Sequence, residues 1–266
     1  MFTCIRCKTI YDKYQQVCDN CAGIHTIVNT PVQSFYSTSS RKKFNSAKDL
    51  IGIHHDYRTI PGFEFLSNLA TKVAFLLYGI QGSGKSIFAL RFANVLSKLS
   101  KNDKVLFLAV EEGSKSSTIQ KKLLDEKIDS DNLKIEDVGS YKDIPNVFFQ
   151  SGAKHLFIDS VTDLNLSNKE MKTLSNLRKI VRGFFLFIVH CTKDENYKGD
   201  SSFGHFVDVK LRADEGKLFV EKNRFGMSHV AYTIFDIDKQ QEENDSNSKV
   251  EIYGPNVISN VYFRQS

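Results

Sequence analysis

V-A-F-L-L-Y-G-I-Q-G-S-G-K-S-I-F-A-L, residues 73–90, is the stretch on which the reading of this chain turns. The apolar run from Val73 to Tyr78 predicts a buried strand. It breaks into Gly79-Ile80-Gln81-Gly82-Ser83-Gly84-Lys85-Ser86, and apolar residues then return at helical spacing (Ile87, Leu90, Phe92, Ala93). A G-x-x-x-x-G-K-[ST] string alone could be a turn that precedes a lysine; between a strand and a helix it predicts a phosphate cradle. Glycines let backbone N–H groups converge on a pyrophosphate without Cβ clashes, and the new helix offers its positive end to the anion. In such a site Lys85 reaches the β- and γ-phosphates, and Ser86 ligates Mg²⁺. The expected nucleotide contacts run from Gly79 through Ile87.

Outward from this stretch, strands and helices alternate. Apolar runs at Val105–Val110 and Phe184–Val189, a short stretch at Leu133–Val138, and His155–Ser160 predict strands. The spacing of Ile119, Leu123 and Leu124, the segment Ile144–Gln150, and Lys169–Val181 predict the helices between them. Strands apolar on both faces and separated by helices mean a mainly parallel sheet covered on both sides, an α/β fold. The period changes near the end: residues 206–211, 216–222 and 229–237 read as consecutive strands with polar turns, which predicts antiparallel strands at the C-terminal side.

With 266 residues the chain can build one large core plus small appendages. Its 41% hydrophobic and 25% charged content is ordinary for a globular protein. No apolar run approaches the ~20 residues that span a bilayer, and the start lacks the pattern of a signal peptide, so a cytoplasmic protein without a membrane partner is expected. A net charge of +5 is compatible with nucleic acid without requiring it.

Four of the five cysteines fall within the first 21 residues, as Cys4-x2-Cys7, ten residues, then Cys18-x2-Cys21. Two such knuckles aim four thiolates at one ion, so a closed structural Zn²⁺ site is expected, with a redox pair, an iron–sulfur site or free thiols as alternatives. Residues 1–28 form this knuckle and 29–46 a polar linker; 47–238 form the α/β core, and 239–266 a polar linker with a short tail.

Nucleotide chemistry also needs a metal anchor and a group that positions water. Asp159 ends a buried strand, where it suits a carboxylate that holds Mg²⁺; an aspartate capping the following helix is the plainer alternative. Glu111 and Glu112 end the strand expected to lie beside the Val73–Tyr78 strand, and either could orient the attacking water or simply cap the next helix.

Taken in order, the paired cysteines, G-x-x-x-x-G-K-S, the strand ending in Glu111-Glu112, and Lys222-Asn223-Arg224-Phe225-Gly226 resemble the RadA (Sms) proteins, relatives of the RecA and DnaB ATPases. His190-x-Thr192-Lys193 and His205-x-Val207-Asp208 resemble two further motifs of that family. The resemblance spans about Cys4 to Ile237, and K-N-R-F-G is its most specific part. It implies a RecA-like ATPase core, a hexameric ring, Mg-ATP hydrolysis, and single-stranded DNA as partner in branch migration, recombination or repair. By position it implies that Glu111 is the catalytic glutamate with Glu112 as fallback. Lys222 and Arg224 would contact the nucleotide of the neighbouring subunit, and His190 would sense the γ-phosphate. The loop at 194–204 takes the place of the DNA-contacting loop, where Tyr197, Lys198 and Phe203 offer stacking faces and charge, opposed by Asp194, Glu195 and Asp200. RadA proteins continue into a protease-like domain where this chain has residues 239–266. A DnaB-type replicative helicase motor and a nucleotide-gated oligomeric interaction module are the alternative functions.

Overall fold

The computed structural model describes residues 2–4, 10–11, 27–29, 45–191, 203–235, 250–252 and 259–261. The chain divides into two compact units, Met1–Tyr57 and Arg58–Ser266. In the first, strand Phe2–Cys4 pairs antiparallel with both Ile10–Tyr11 and Ile27–Asn29. Cys7, Cys18 and Cys21 lie outside the described residues, as does the Cys4 side chain. The expected zinc site and the DNA-loop residues Tyr197 and Lys198 therefore have no structural description. A short helix, Ala47–Ile51, follows; Ser46 and Asp49 cap it reciprocally as a capping box.

The second unit is an α/β layer structure. Its elements in order are β1 (Val73–Gly79), α1 (Lys85–Leu99), β2 (Val105–Ala109), α2 (Ser117–Asp125), β3 (Leu133–Glu136), α3 (Ile144–Gln150), β4 (His155–Asp159), α4 (Asn168–Val181) and β5 (Phe184–His190). After these come α5 (Phe203–Phe206), β6 (Val209–Asp214), β7 (Lys217–Asn223), β8 (Val230–Thr233), β9 (Val250–Ile252) and β10 (Ser259–Val261). They form one sheet in the order β10-β9-β8-β7-β6-β1-β5-β4-β2-β3. The strands from β6 through β3 in that order run parallel, and those from β7 to β10 are antiparallel.

Burial explains the order. Every residue of β1, β2 and β4 is buried, as are the first six of β5, so these strands take the centre, where helices cover both faces. β3 (Leu-Lys-Ile-Glu) buries only Leu133 fully and lies at the edge. The β6 sequence Val-Lys-Leu-Arg-Ala-Asp alternates buried and half-buried, the pattern of a sheet with one covered face. Aromatic rings weld α1 to the sheet and to the segment before it: Phe92 lies 5.5 Å from Phe75, 5.7 Å from Phe157 and 4.9 Å from Phe63, between ring centroids.

The sequence expectation about β2 needs correcting. Its strand does not lie beside β1: β5 and β4 stand between them. The place next to β1 goes to β5 (Phe-Phe-Leu-Phe-Ile-Val-His), which matches it in length and pairs with it in parallel over all seven residues. The region from 206 also differs. Phe203–Phe206 is a short helix, and the strand starts only at Val209. Phe203 is 3% exposed, so its ring is packed inside the protein and offers no face to a nucleic-acid base. Among the described residues, no helix is long and apolar enough to cross a membrane.

Candidate active-site cleft

β1, β5, β4 and β2 end side by side, and the residues that follow them meet at one cleft. Gly79 pairs in register with His190, and Asp159 with Ala109. Ligands of open α/β sheets bind outside these carboxyl ends. The cleft encloses about 310 Å³ between the glycine-rich loop, Glu111, Glu112, Lys122, His190 and Phe235.

The loop owes its shape to two glycines. At Gly79 a Cβ would fall 2.1 Å from the Ala213 carbonyl oxygen, so only glycine lets β1 lie this close to β6. Gly84, with φ of +96°, is the N-cap of α1 and supplies no side-chain acceptor. The first N–H groups of the helix are thus left for another acceptor. Lys85 is 5% exposed, and its Nζ donates to the carbonyls of Gly79 at 3.0 Å and Ile80 at 2.6 Å. Burial lowers its pKa, while the charges of Asp159 and Glu111 oppose that shift.

Asp159 is 5% exposed, and burial pushes its pKa up to about 6. A hydrogen bond from Ser86 acts the other way, and the charge of Glu111 adds to the rise. Oδ1 of Asp159 is buried without a hydrogen-bond partner. Such an orphaned oxygen is costly unless something binds it. A divalent cation fits this donor set: Ser86 and Asp159 would hold it, both being hard oxygen donors at the mouth of the loop.

Glu111 and Glu112 are adjacent in sequence but have different partners. Glu112 accepts a hydrogen bond from Lys122 of α2. Glu111 faces His190, whose Nε2 is 3.2 Å from its carboxylate and 3.5 Å from that of Asp163, within ion-pair range but without an aligned hydrogen bond. The His190 backbone N–H donates to Thr162 Oγ1 at 3.0 Å. Asp163 in turn accepts a hydrogen bond from Ser160. These ligand atoms of Glu111, Asp163 and His190 lie within 4.8 Å of one another, an arrangement that could also hold a cation.

Lys222 and Arg224 do not join this cleft within one chain. In register, Asn223 pairs with Val209, and Val209 with Phe75, near the start of β1. That is four residues from Gly79, about 13 Å at ~3.3 Å per residue. Lys222 Nζ donates to the carbonyls of Val207 at 2.7 Å and Gly204 at 3.1 Å. Arg224 is 3.2 Å from Asp208, which also accepts from Arg178 at 3.0 Å and from the Ala74 N–H at 2.9 Å.

Sequence reading missed Lys122 and Phe235, which line the cleft, and Asp163, which lies beside His190. None carries a local signal, since each is brought in by a separate element, α2, the segment after β8 and the turn after β4. Compared with known proteins, the chain matches no family model and no curated protein.

Proposed function

We propose that this protein is a P-loop nucleoside-triphosphate hydrolase with a RecA-like core, resembling RadA, which couples Mg-ATP hydrolysis to single-stranded DNA. One observation carries the reading. An uncapped helix N-terminus with a buried lysine, a buried aspartate with an unpaired oxygen, and a glutamate facing a histidine meet at the ends of four adjacent parallel strands. Phosphate oxygens would replace the Gly79 and Ile80 carbonyls as acceptors for Lys85, while the first N–H groups of α1 take the remaining charge. Ser86 and Asp159 would hold Mg²⁺, which neutralises phosphate charge when bound. Glu111 orients the attacking water, for which its position beside Lys85 and His190 suits it better than Glu112, engaged by Lys122.

The place of Lys222 and Arg224 supports an oligomer. They lie toward the end of β1 away from the glycine-rich loop, so they can compensate phosphate charge only in the cleft of a neighbouring copy. A ring, with six copies as in the resembled family, meets that requirement. DNA binding and the Zn²⁺ knuckle at Cys4, Cys7, Cys18 and Cys21 rest on the sequence motifs alone.

The test is the release of phosphate from Mg-ATP, with and without single-stranded DNA, by the full chain and by Lys85→Ala. Hydrolysis that rises with DNA and disappears in the variant is expected. A rate equal to that of Lys85→Ala under both conditions overturns the reading. DNA-independent hydrolysis leaves the ATPase standing and removes the DNA partner.

A further inference from the structure

The turn Asn223-Arg224-Phe225-Gly226 rests against a segment far away in sequence. That segment holds the single 3-10 turn Glu64–Leu66, in the stretch that precedes β1. Phe65 and Leu66 are buried, and the Phe65 ring stacks on Tyr232 of β8 with 4.6 Å between centroids, which fixes the segment to the sheet. Ser67 follows with φ of 62° and ψ of −164°, a conformation that glycine takes readily and serine rarely. Strain of this kind persists only where the surrounding structure imposes it.

Two contacts join the segments. The Asn223 side chain bridges them: Nδ2 donates to the Leu66 carbonyl at 3.0 Å, while Oδ1 accepts from the Phe225 N–H at 2.9 Å. Gly226 packs on Ser67 so closely that a Cβ there would lie 2.1 Å from the serine Oγ and 2.4 Å from its Cβ. Gly226 does not have a positive φ, so the close approach alone demands glycine. Arg224 stands between these two anchors, and its own N–H donates to the Asp208 carbonyl at 3.2 Å. Its backbone is thus held at three points, while its side chain is 54% exposed.

We propose that Leu66 and Ser67 form a seat that aims Arg224, with Asn223 and Gly226 as the positioning residues that lock the turn onto it. The inference rests on the reading of Arg224 as a charge delivered to the cleft of a neighbouring copy. A guanidinium that compensates phosphate charge across an interface acts only from the right place, and a misplacement of ~1 Å can lower a rate by about 10²-fold. The strained serine and the missing Cβ are the two local features that let the segments approach this closely.

Mg-ATP hydrolysis and Mg-ATP affinity of the full chain test this in Gly226→Ala, alone and combined with Ser67→Gly, which removes both atoms that the new methyl group would strike. Gly226→Ala should lose about 10²-fold in kcat and keep its nucleotide affinity, and the double variant should recover about tenfold or more of that loss. Asn223→Asp keeps the acceptor for the Phe225 N–H but sets a carboxylate oxygen against the Leu66 carbonyl, and it should lose kcat to a similar extent. Mixed with Lys85→Ala subunits, Gly226→Ala should regain part of the activity, which a merely unfolded variant would not do. Wild-type kcat in Gly226→Ala or in Asn223→Asp overturns the proposal, and so does a loss in Gly226→Ala that Ser67→Gly leaves untouched. If the wild type hydrolyses ATP and Arg224→Ala does so equally well, the reading of Arg224 itself fails, and this proposal with it.

Discussion

His190 at the end of β5 holds its Nε2 3.2 Å from the carboxylate of Glu111, which follows β2, although β4 separates the two strands. The neighbouring glutamate is turned to Lys122. This division of partners makes Glu111→Gln the informative variant. It should lower kcat by about 10²-fold or more, the scale of a lost general base, while Mg-ATP still binds. Glu112→Gln should cost less than tenfold in kcat and show mainly as a small loss of thermal stability. Steady-state kinetics beside nucleotide titration checks both.

Asp159 gives the metal-free chain a pH dependence. Its folded-state pKa of about 6 is above its ordinary 3.8, so the native state takes up the proton first. Stability from this group is therefore present at low pH and falls as pH rises from about 4 to about 6, by about 3 kcal/mol in all. His155 acts in the opposite sense: burial lowers its pKa, so its contribution is complete above the ordinary 6.5 and falls as pH drops. Urea unfolding at pH 4.5 and 7.5, compared between wild type and Asp159→Asn, isolates the aspartate. The variant should gain stability relative to wild type at pH 7.5 and little at pH 4.5. Mg-ATP should stabilise the wild type more at pH 7.5, where the carboxylate is ionised, and should not stabilise the variant to the same extent.

Arg224 is half exposed and distant from the glycine-rich loop of its own chain, which separates its role from that of Lys85. If it serves a neighbouring cleft, Arg224→Ala should lose about 10³-fold in kcat with nucleotide binding intact, as for a lost arginine finger. Mixing Arg224→Ala with Lys85→Ala subunits should then restore part of the activity, because some interfaces join an intact loop to an intact arginine. Mixtures no more active than either variant alone would count against the shared site.

At the opposite end of the sheet, Asp103 is 1% exposed and accepts from Arg58 at 3.0 Å, Lys154 at 2.7 Å and His155 Nε2 at 3.3 Å. His155 Nδ1 accepts from the Phe184 N–H at 3.0 Å, which leaves the ring proton on Nε2, facing the carboxylate. Removing that carboxylate leaves a buried histidine and two cations without their acceptor. Asp103→Ala is expected to cost about 3–5 kcal/mol, measured by chemical denaturation.

Much of this was written in local sequence. Val73–Leu90 specifies its own strand, turn and helix, because an apolar run, positive-φ glycines and helical spacing each act over a few residues. The four strands that end at the cleft were legible for the same reason, and Lys85, Ser86 and Asp159 could be named from their places at element ends. The order of the strands was not legible. It depends on which strands, far apart in sequence, pair with one another, and β5 and β4 came to stand between β1 and β2. The chain by itself also could not divide Glu111 from Glu112, bury Phe203, bring Lys122 and Phe235 to the loop, or set Asp163 beside His190. Those outcomes come from side chains that meet across elements far apart in sequence, and only the packed sheet decides which of them meet.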